Sequence, residues 1–275
     1  MTSTKFVVKY SENRQTYDKL FTKKCIGFRT NNSDYFKKII NFLSTIIDQV
    51  NLRFNEKGIF ITSLDSSHVA LVDVYIPLEF FNTLNISEEK IVGINLQIFM
   101  KVLNHVNNGD ELIFKINENK DNIELVFNNI SYQKYYNIKL MDIDEDGLEV
   151  SKIDNKTSLY FESKYFNDII KDFSDIGENI EIDIDESNIK FYSKGDMSNF
   201  NMEFDIDSVQ YENLQQIKQD FGIKYLQNFT KGCNLNKNIT LEFANDYPLK
   251  MNYSIFKDGY ISCYIAPKLN DDDFE

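Results

Sequence analysis

Asp142, Asp144, Asp146 and Gly147 place carboxylates at alternate positions before a glycine, which is the opening half of a calcium-binding loop. Position twelve of such a loop needs a bidentate glutamate but holds Ile153, and no helical pattern flanks both sides. A solvated acidic connector is therefore the expectation. His68 and His105 stand too far apart for a zinc spacing. Asp183 and Asp185 share one face of an expected strand, where a nuclease would hold magnesium, but the alternating buried residues make that face an ordinary wet sheet surface. No G-x-S-x-G, P-loop or G-x-G-x-x-G occurs, so nucleophile and phosphate-cradling machinery is missing. No catalytic residue, metal or cofactor is expected.

The elements that must position any surface are mostly strands. Only three prolines and ten glycines interrupt 275 residues. Ile180-Glu181-Ile182-Asp183-Ile184-Asp185 alternates apolar and acidic residues, as a strand with one buried and one wet face requires. Leu112 to Ile116, Ile123 to Phe127, Phe200 to Phe204, Ile239 to Phe243 and Met251 to Ile255 read the same way. Short polar turns at Asn55-Glu56-Lys57-Gly58, Asn117 to Asn122, Asp185 to Asn188 and Lys257-Asp258-Gly259 predict antiparallel hairpins. Helical spacing appears in Ser33 to Asp48, Asn95 to Val106, Ser163 to Ile176 and Phe221 to Gly232; in the first, Phe36, Ile39, Ile40, Leu43 and Ile47 form one stripe and Ser33 is a natural N-cap.

An internal repeat organises these elements. An offset of 130 carries Phe36, Ile39 and Ile40 onto Phe166, Ile169 and Ile170, Val50-Asn51-Leu52 onto Ile180-Glu181-Ile182, and Ile61-Thr62-Ser63 onto Phe191-Tyr192-Ser193. A weaker echo at 127 pairs Leu112-Ile113-Phe114 with Ile239-Thr240-Leu241, so two copies of one domain are expected. Asp142 to Lys152, charged and without a sustained period, reads as the connector between them.

Thirty Lys and Arg against 43 Asp and Glu give a net charge of −13, which excludes indiscriminate binding to nucleic acid or anionic membrane. The helical segments are the exception. They carry Lys37, Lys38, Lys101, Lys164, Lys171, Lys224 and Lys231 against Asp34, Asp48, Asp168, Asp172 and Asp175. Helices gathered on one concave surface would make it mildly basic inside an acidic molecule. Cys25, Cys233 and Cys263 form no C-x-x-C pair, which suits a reducing, intracellular compartment.

Leu64-Asp65-Ser66-Ser67-His68-Val69-Ala70-Leu71-Val72 closely resembles the signature after the first hairpin of the proliferating cell nuclear antigen family, the eukaryotic sliding clamps. Lys139-Leu140-Met141-Asp142-Ile143-Asp144 resembles the start of that family's interdomain connector. Tyr264-Ile265-Ala266-Pro267-Lys268, followed by acidic residues, resembles its tail, and Tyr225-Leu226 with Phe229-Thr230-Lys231 adds a fourth block. The blocks keep the family's order and spacing from about Cys25 onward.

The resemblance implies an α+β DNA clamp fold: two duplicated domains with antiparallel sheets outside and two helices each inside, three chains closing into a ring. Residues 1–24 would be an N-terminal extension, 25–141 the first domain, 142–155 the connector, and 156–275 the second domain with a short acidic tail. The implied function is a processivity factor for DNA polymerase and a recruitment platform for replication and repair proteins, at the nucleus or another site of DNA replication. Its implied partners are encircled double-stranded DNA, proteins carrying a clamp-binding peptide, a clamp loader and its own copies. A closed ring explains an acidic DNA-associated protein, because topological linkage replaces tight phosphate binding. A clamp relative diverted to checkpoint or transcription duty and a metal-dependent nuclease are the alternatives.

By the same resemblance Lys37, Lys38, Lys101, Lys171, Lys224 and Lys231 would line the channel. Leu64, His68, Val69, Leu148, Val150, Pro248, Tyr264, Ala266 and Pro267 would form a pocket for a glutamine-anchored peptide with one aliphatic and two aromatic residues. Tyr132, Tyr136, Met197, Phe200 and Met202 would lie at the subunit interface. Departures from the family are Asn104 and Asp168 at channel positions usually basic, Glu186 where a modifiable lysine is usual, and the stretch before Cys25 with its Phe6-Val7-Val8-Lys9-Tyr10 run.

Overall fold

The computed structural model describes residues 26–86, 88–117, 121–144, 156–245 and 247–268. The N-terminal half contributes β1 (Ile26–Thr30), β2 (Gln49–Asn55), β3 (Gly58–Leu64), β4 (Ala70–Pro77), β5 (Thr83–Asn85), β6 (Lys90–Asn95), β7 (Glu111–Asn117), β8 (Asn122–Asn128) and β9 (Gln133–Lys139), with helices α1 (Ser33–Leu43) and α2 (Leu96–Leu103). The C-terminal half contributes β10 (Thr157–Glu162), β11 (Asn179–Ile184), β12 (Asn188–Lys194), β13 (Asn199–Asp205), β14 (Gln210–Glu212), β15 (Ile217–Gly222), β16 (Asn238–Phe243), β17 (Leu249–Ile255) and β18 (Gly259–Ile265), with α3 (Ser163–Ser174) and α4 (Ile223–Thr230). The halves repeat element for element. An offset of 130 takes the start of α1 to the start of α3 and β3 onto β12, and 127 takes α2 onto α4 and β6 onto β15.

All pairings are antiparallel and build three sheets: β5-β1-β7-β8-β9, β14-β10-β16-β17-β18-β4-β3-β2-β6, and β13-β12-β11-β15. The central nine-stranded sheet is shared, because β4 of the first half pairs with β18 of the second, Ala70 opposite Ile265. The alternation read at Ile180 to Asp185 is realised, with Ile180, Ile182 and Ile184 fully buried. Each half then centres on aromatic rings: Phe28 contacts Phe36, Phe54, Phe81 and Phe114, and Phe191 contacts Phe166, Phe173 and Phe204.

The helices lie where the periodicity puts them but are shorter. Phe36, Ile39, Ile40, Phe42 and Leu43 are buried from α1, each contributing about 1.5–3 kcal/mol of hydrophobic stabilisation. The helix stops at Leu43, and Ile47 still reaches the core from the following turn, where its N–H bonds to Leu43 O at 3.0 Å. Phe221 belongs to β15 opposite Ile180, outside α4, and Lys231 opens a 3-10 turn over Lys231–Asn234. Ser33 does not cap α1. Asn32 holds that position, and Ser33 Oγ donates to Asp110 O at 2.6 Å.

The helix pairs meet across the duplication. Tyr35 Oη donates to Leu235 O at 2.7 Å, and the Phe42 and Tyr253 rings meet edge to face at 6.1 Å. Tyr253 in turn donates to Phe229 O at 3.0 Å and lies so close to Gly232 that a Cβ there would stand 2.5 Å from its ring. That joint ties the four helices into one layer.

Candidate functional site

Strand register brings together residues nearly two hundred positions apart. Leu64 stands opposite Leu71, and Leu71 opposite Tyr264, so the three side chains form a row across β3, β4 and β18. Their neighbours Ala70 and Ile265 point inward and are buried, which turns the row to the outer face. Ala266 N–H bonds to Val69 O at 3.3 Å, and Leu249 pairs with Ile265, so Val69, Ala266 and Pro248 adjoin that row. Leu64, Val69, Leu71, Pro248, Tyr264 and Pro267 are half-buried, while Ala266 and His68 are exposed. Leu71 was missed by sequence reasoning; its signal was the alternation with buried Ala70 and Val72. Leu148 and Val150 lie outside the described residues.

One carboxylate shapes the mouth of this surface. Burial opposes the charge on Asp65, yet its hydrogen bonds from the Ser67 hydroxyl and from the backbone N–H groups of Ala70, Ser67 and Val69 prevail and hold its carboxyl below the ordinary carboxylate range. The turn so formed puts His68 at φ 58° and lets Ser67 Oγ meet Tyr225 Oη of α4 at 2.8 Å. Asp65→Ala is expected to cost about 1–3 kcal/mol of stability, measured as a lower thermal midpoint near pH 7. Because the folded value is depressed, that contribution is present above the unfolded carboxyl's range and lost as pH falls through the folded one. The two proteins should therefore converge in acid.

Tyr264 is pushed well above the usual phenol range by burial, with Asp73 adding to the effect. Asp73 is itself raised, its burial outweighing bonds from Tyr260 and Thr62. Lys250 and Lys156 both pair with Glu242, at 3.1 and 2.6 Å. The connector's described end starts on this sheet: Met141 bridges to Gly93 on β6, and Asn51 Nδ2 on β2 donates to Ile143 O at 3.0 Å. Lys156 leads into β10, six strands from β2 in the same sheet.

A second surface is the helix layer. Lys38, Lys101, Lys171, Lys224 and Lys231 are exposed and Lys37 is half-buried. None of the six is ion-paired with a carboxylate among the described residues, and Lys231 Nζ donates only to Asn228 Oδ1. Exposed Asp168 and Asn104 dilute the charge.

The third feature is a pair of open edges. β5 and β14 have three residues each, β6 is met by Met141, and Asp220 O on β15 accepts Lys268 N–H at 2.8 Å. That leaves β9 and β13, seven residues each, without an outer partner among the described residues. Phe200 and Met202 lie half-buried on β13 and Tyr136 half-buried on β9; Met197 precedes β13 and is 97% exposed. Tyr132 stands just before β9, where its hydroxyl donates to Asp110 at 2.7 Å.

Among the described residues no three His, Cys, Asp or Glu side chains converge as metal ligands would. Asp185, one of the two carboxylates weighed for magnesium, instead accepts the N–H groups of Ser187 and Asn188 in the β11–β12 turn.

Comparison with known proteins identifies the family. Residues 26–149 match the proliferating cell nuclear antigen N-terminal domain and residues 149–268 its C-terminal domain. The chain is 29% identical over 255 residues to the proliferating cell nuclear antigen of Chaetomium thermophilum, covering 89% of this chain and 98% of that one. It is 31% identical over 243 residues to proliferating cell nuclear antigen 2 of Drosophila melanogaster, covering 86% and 95%. The crystal structure of the Entamoeba histolytica homologue superposes with a TM-score of 0.83 at 25% identity, over 89% of this chain and all of that one.

Proposed function

The chain belongs to the proliferating cell nuclear antigen family and is a DNA sliding clamp, and we propose that it closes as a ring of three copies through its open strand edges. The carrying observation is the joint already made inside the chain. The repeat that maps β3 onto β12 makes β13 the counterpart of β4, and β9 the counterpart of β18. Within the chain β4 and β18 pair. Their counterparts are the two seven-residue edges without an outer partner among the described residues, so the same joint made between copies pairs both of them. Head-to-tail pairing of this kind closes when the rotation per repeat closes. Three chains supply six repeats.

Carrying the β4–β18 register across the repeat, by 128 for β4 and 127 for β18, sets Tyr136 opposite Phe200, Lys134 opposite Met202 and Tyr135 opposite Asn201. The helix layer then lines the hole, and its unpaired lysines meet phosphates without reading bases. Substituting Ala at Lys38, Lys101, Lys171 and Lys224 together is expected to reduce loading onto DNA and polymerase stimulation, while native mass stays unchanged. Each lost phosphate contact should lower the salt slope by about 0.9. Unchanged loading and slope would move the DNA surface elsewhere.

The outer row of Leu64, Leu71 and Tyr264 with Val69, Pro248 and Pro267 is the proposed seat of partner peptides, a loader included. The clamp performs no bond chemistry in this reading. It acts at sites of DNA replication by retaining and recruiting enzymes that do.

A further inference from the structure

We infer that the first residues of the chain are a built-in ligand for this outer pocket, so that the clamp competes with its partners by means of its own N-terminal segment. The inference rests on the pocket reading above and adds its regulation. Residues 1–25 carry six basic residues, Lys5, Lys9, Arg14, Lys19, Lys23 and Lys24, against Glu12 and Asp18, a net +4 in a chain of −13. Their one run of three apolar residues is Phe6-Val7-Val8, bracketed by Lys5 and Lys9 and followed by Tyr10. In extended conformation Phe6, Val8 and Tyr10 share a face. A segment meant only for phosphate would need the lysines and not this apolar face.

The pocket supplies the complement. Its floor is Leu64, Leu71 and Tyr264, half-buried side chains that belong to no core cluster. The sequence that continues from the described residues at its margins is acidic: residues 142–155 hold six carboxylates against one lysine, and residues 269–275 hold four with no base. The first of these starts at Asn51 of the same sheet, and the second leaves from Lys268, held by Asp220.

Position and reach agree. Ile26 opens β1 opposite Ile116, in a row that continues through Ile123 to Ile138, three residues before Met141 bridges to the pocket's sheet. The segment thus enters the fold at the corner where the connector leaves, at the end of β1 away from α1. Twenty residues separate Phe6 from Ile26, a length that as a random coil would span roughly 25 Å root-mean-square. Such a tether holds its ligand at millimolar effective concentration, and a segment of about 100 μM intrinsic affinity would weaken an external peptide about tenfold.

The test uses the full-length chain. A synthetic peptide of residues 1–14 is titrated by calorimetry into the Phe6→Ala/Val8→Ala variant, and into the same variant carrying Leu71→Asp. Binding to the first and none to the second is expected; binding to neither, or to both, overturns the inference. In parallel, a glutamine-anchored peptide with one aliphatic and two aromatic residues should bind the Phe6→Ala/Val8→Ala variant about tenfold more tightly than the parent. Equal affinities would leave the pocket in place and remove the internal ligand. If the 1–14 peptide binds as expected while the glutamine-anchored peptide binds neither protein, self-occupancy stands and the partner class falls. A 1–14 peptide that binds duplex DNA and not the clamp also overturns the proposal.

Discussion

Phe200→Asp is expected to convert a particle of three times 32.3 kDa into one of 32.3 kDa in sedimentation at micromolar concentration. Phe200 sits on the open edge strand β13 with its ring 4.5 Å from that of Phe173, and the carried register sets it against Tyr136 of the next copy. A carboxylate closed into that joint loses its water, and Lys134, the base that the register sets two residues along, already donates to His105 O. The cost is more than about 3 kcal/mol per joint, a hundredfold or more in dissociation. Because Phe200 also packs within its own chain, a second variant separates assembly from folding. Tyr135→Cys with Asn201→Cys alters two exposed positions that the register makes opposite across copies. Directly opposed strand residues have the Cα separation a disulfide needs. Mild oxidation should give a covalent trimer on a non-reducing gel. A trimer that resists Phe200→Asp together with the absence of the crosslink would place the joint elsewhere.

Leu71→Asp is expected to abolish recruitment while leaving the ring intact. Leu71 lies at the middle of the outer row, between Leu64 and Tyr264, and outside the core cluster, so the folded chain does not depend on its methyl groups. Peptide affinity concentrates in few desolvated apolar contacts, and a charge there costs about 2–4 kcal/mol, roughly thirty- to a thousandfold in affinity. Calorimetry with the glutamine-anchored peptide reads the loss, and sedimentation checks that the trimer persists. Undiminished binding would take the row out of the pocket. The effect should exceed that of Asp65→Ala, which loosens the adjoining turn without placing a charge in the contact.

The resemblance blocks converge on one outer face for a reason visible in the fold. Leu64 to Val72 spans the end of β3, the Asp65 turn and the start of β4, where side chains hold a turn as well as present an outer face. Pro248, Ala266 and Pro267 come to the same place because β17 and β18 continue that sheet. Leu148 and Val150, named with them, fall outside the described residues.

Local patterns by themselves determined the strand faces, the hairpin turns and the duplication. Each follows from residues close together in sequence: a period of two at Ile180 to Asp185, a polar turn at Asp185 to Asn188, and an offset of 130 carrying Phe36 onto Phe166. Element ends were less legible, because apolar periodicity does not stop where the hydrogen bonds do. Ile47 continues the α1 stripe from a turn, and Phe221 is as apolar in β15 as it would have been in α4. Only the tertiary structure decided that β4 pairs with β18 and leaves β9 and β13 open among the described residues, and that Leu71 therefore sits beside Tyr264. Backbone hydrogen bonds are chemically alike in every strand, so nothing local selects a partner. The choice comes from packing two duplicated sheets over one helix layer, where Tyr35 reaches Leu235 and Phe42 meets Tyr253.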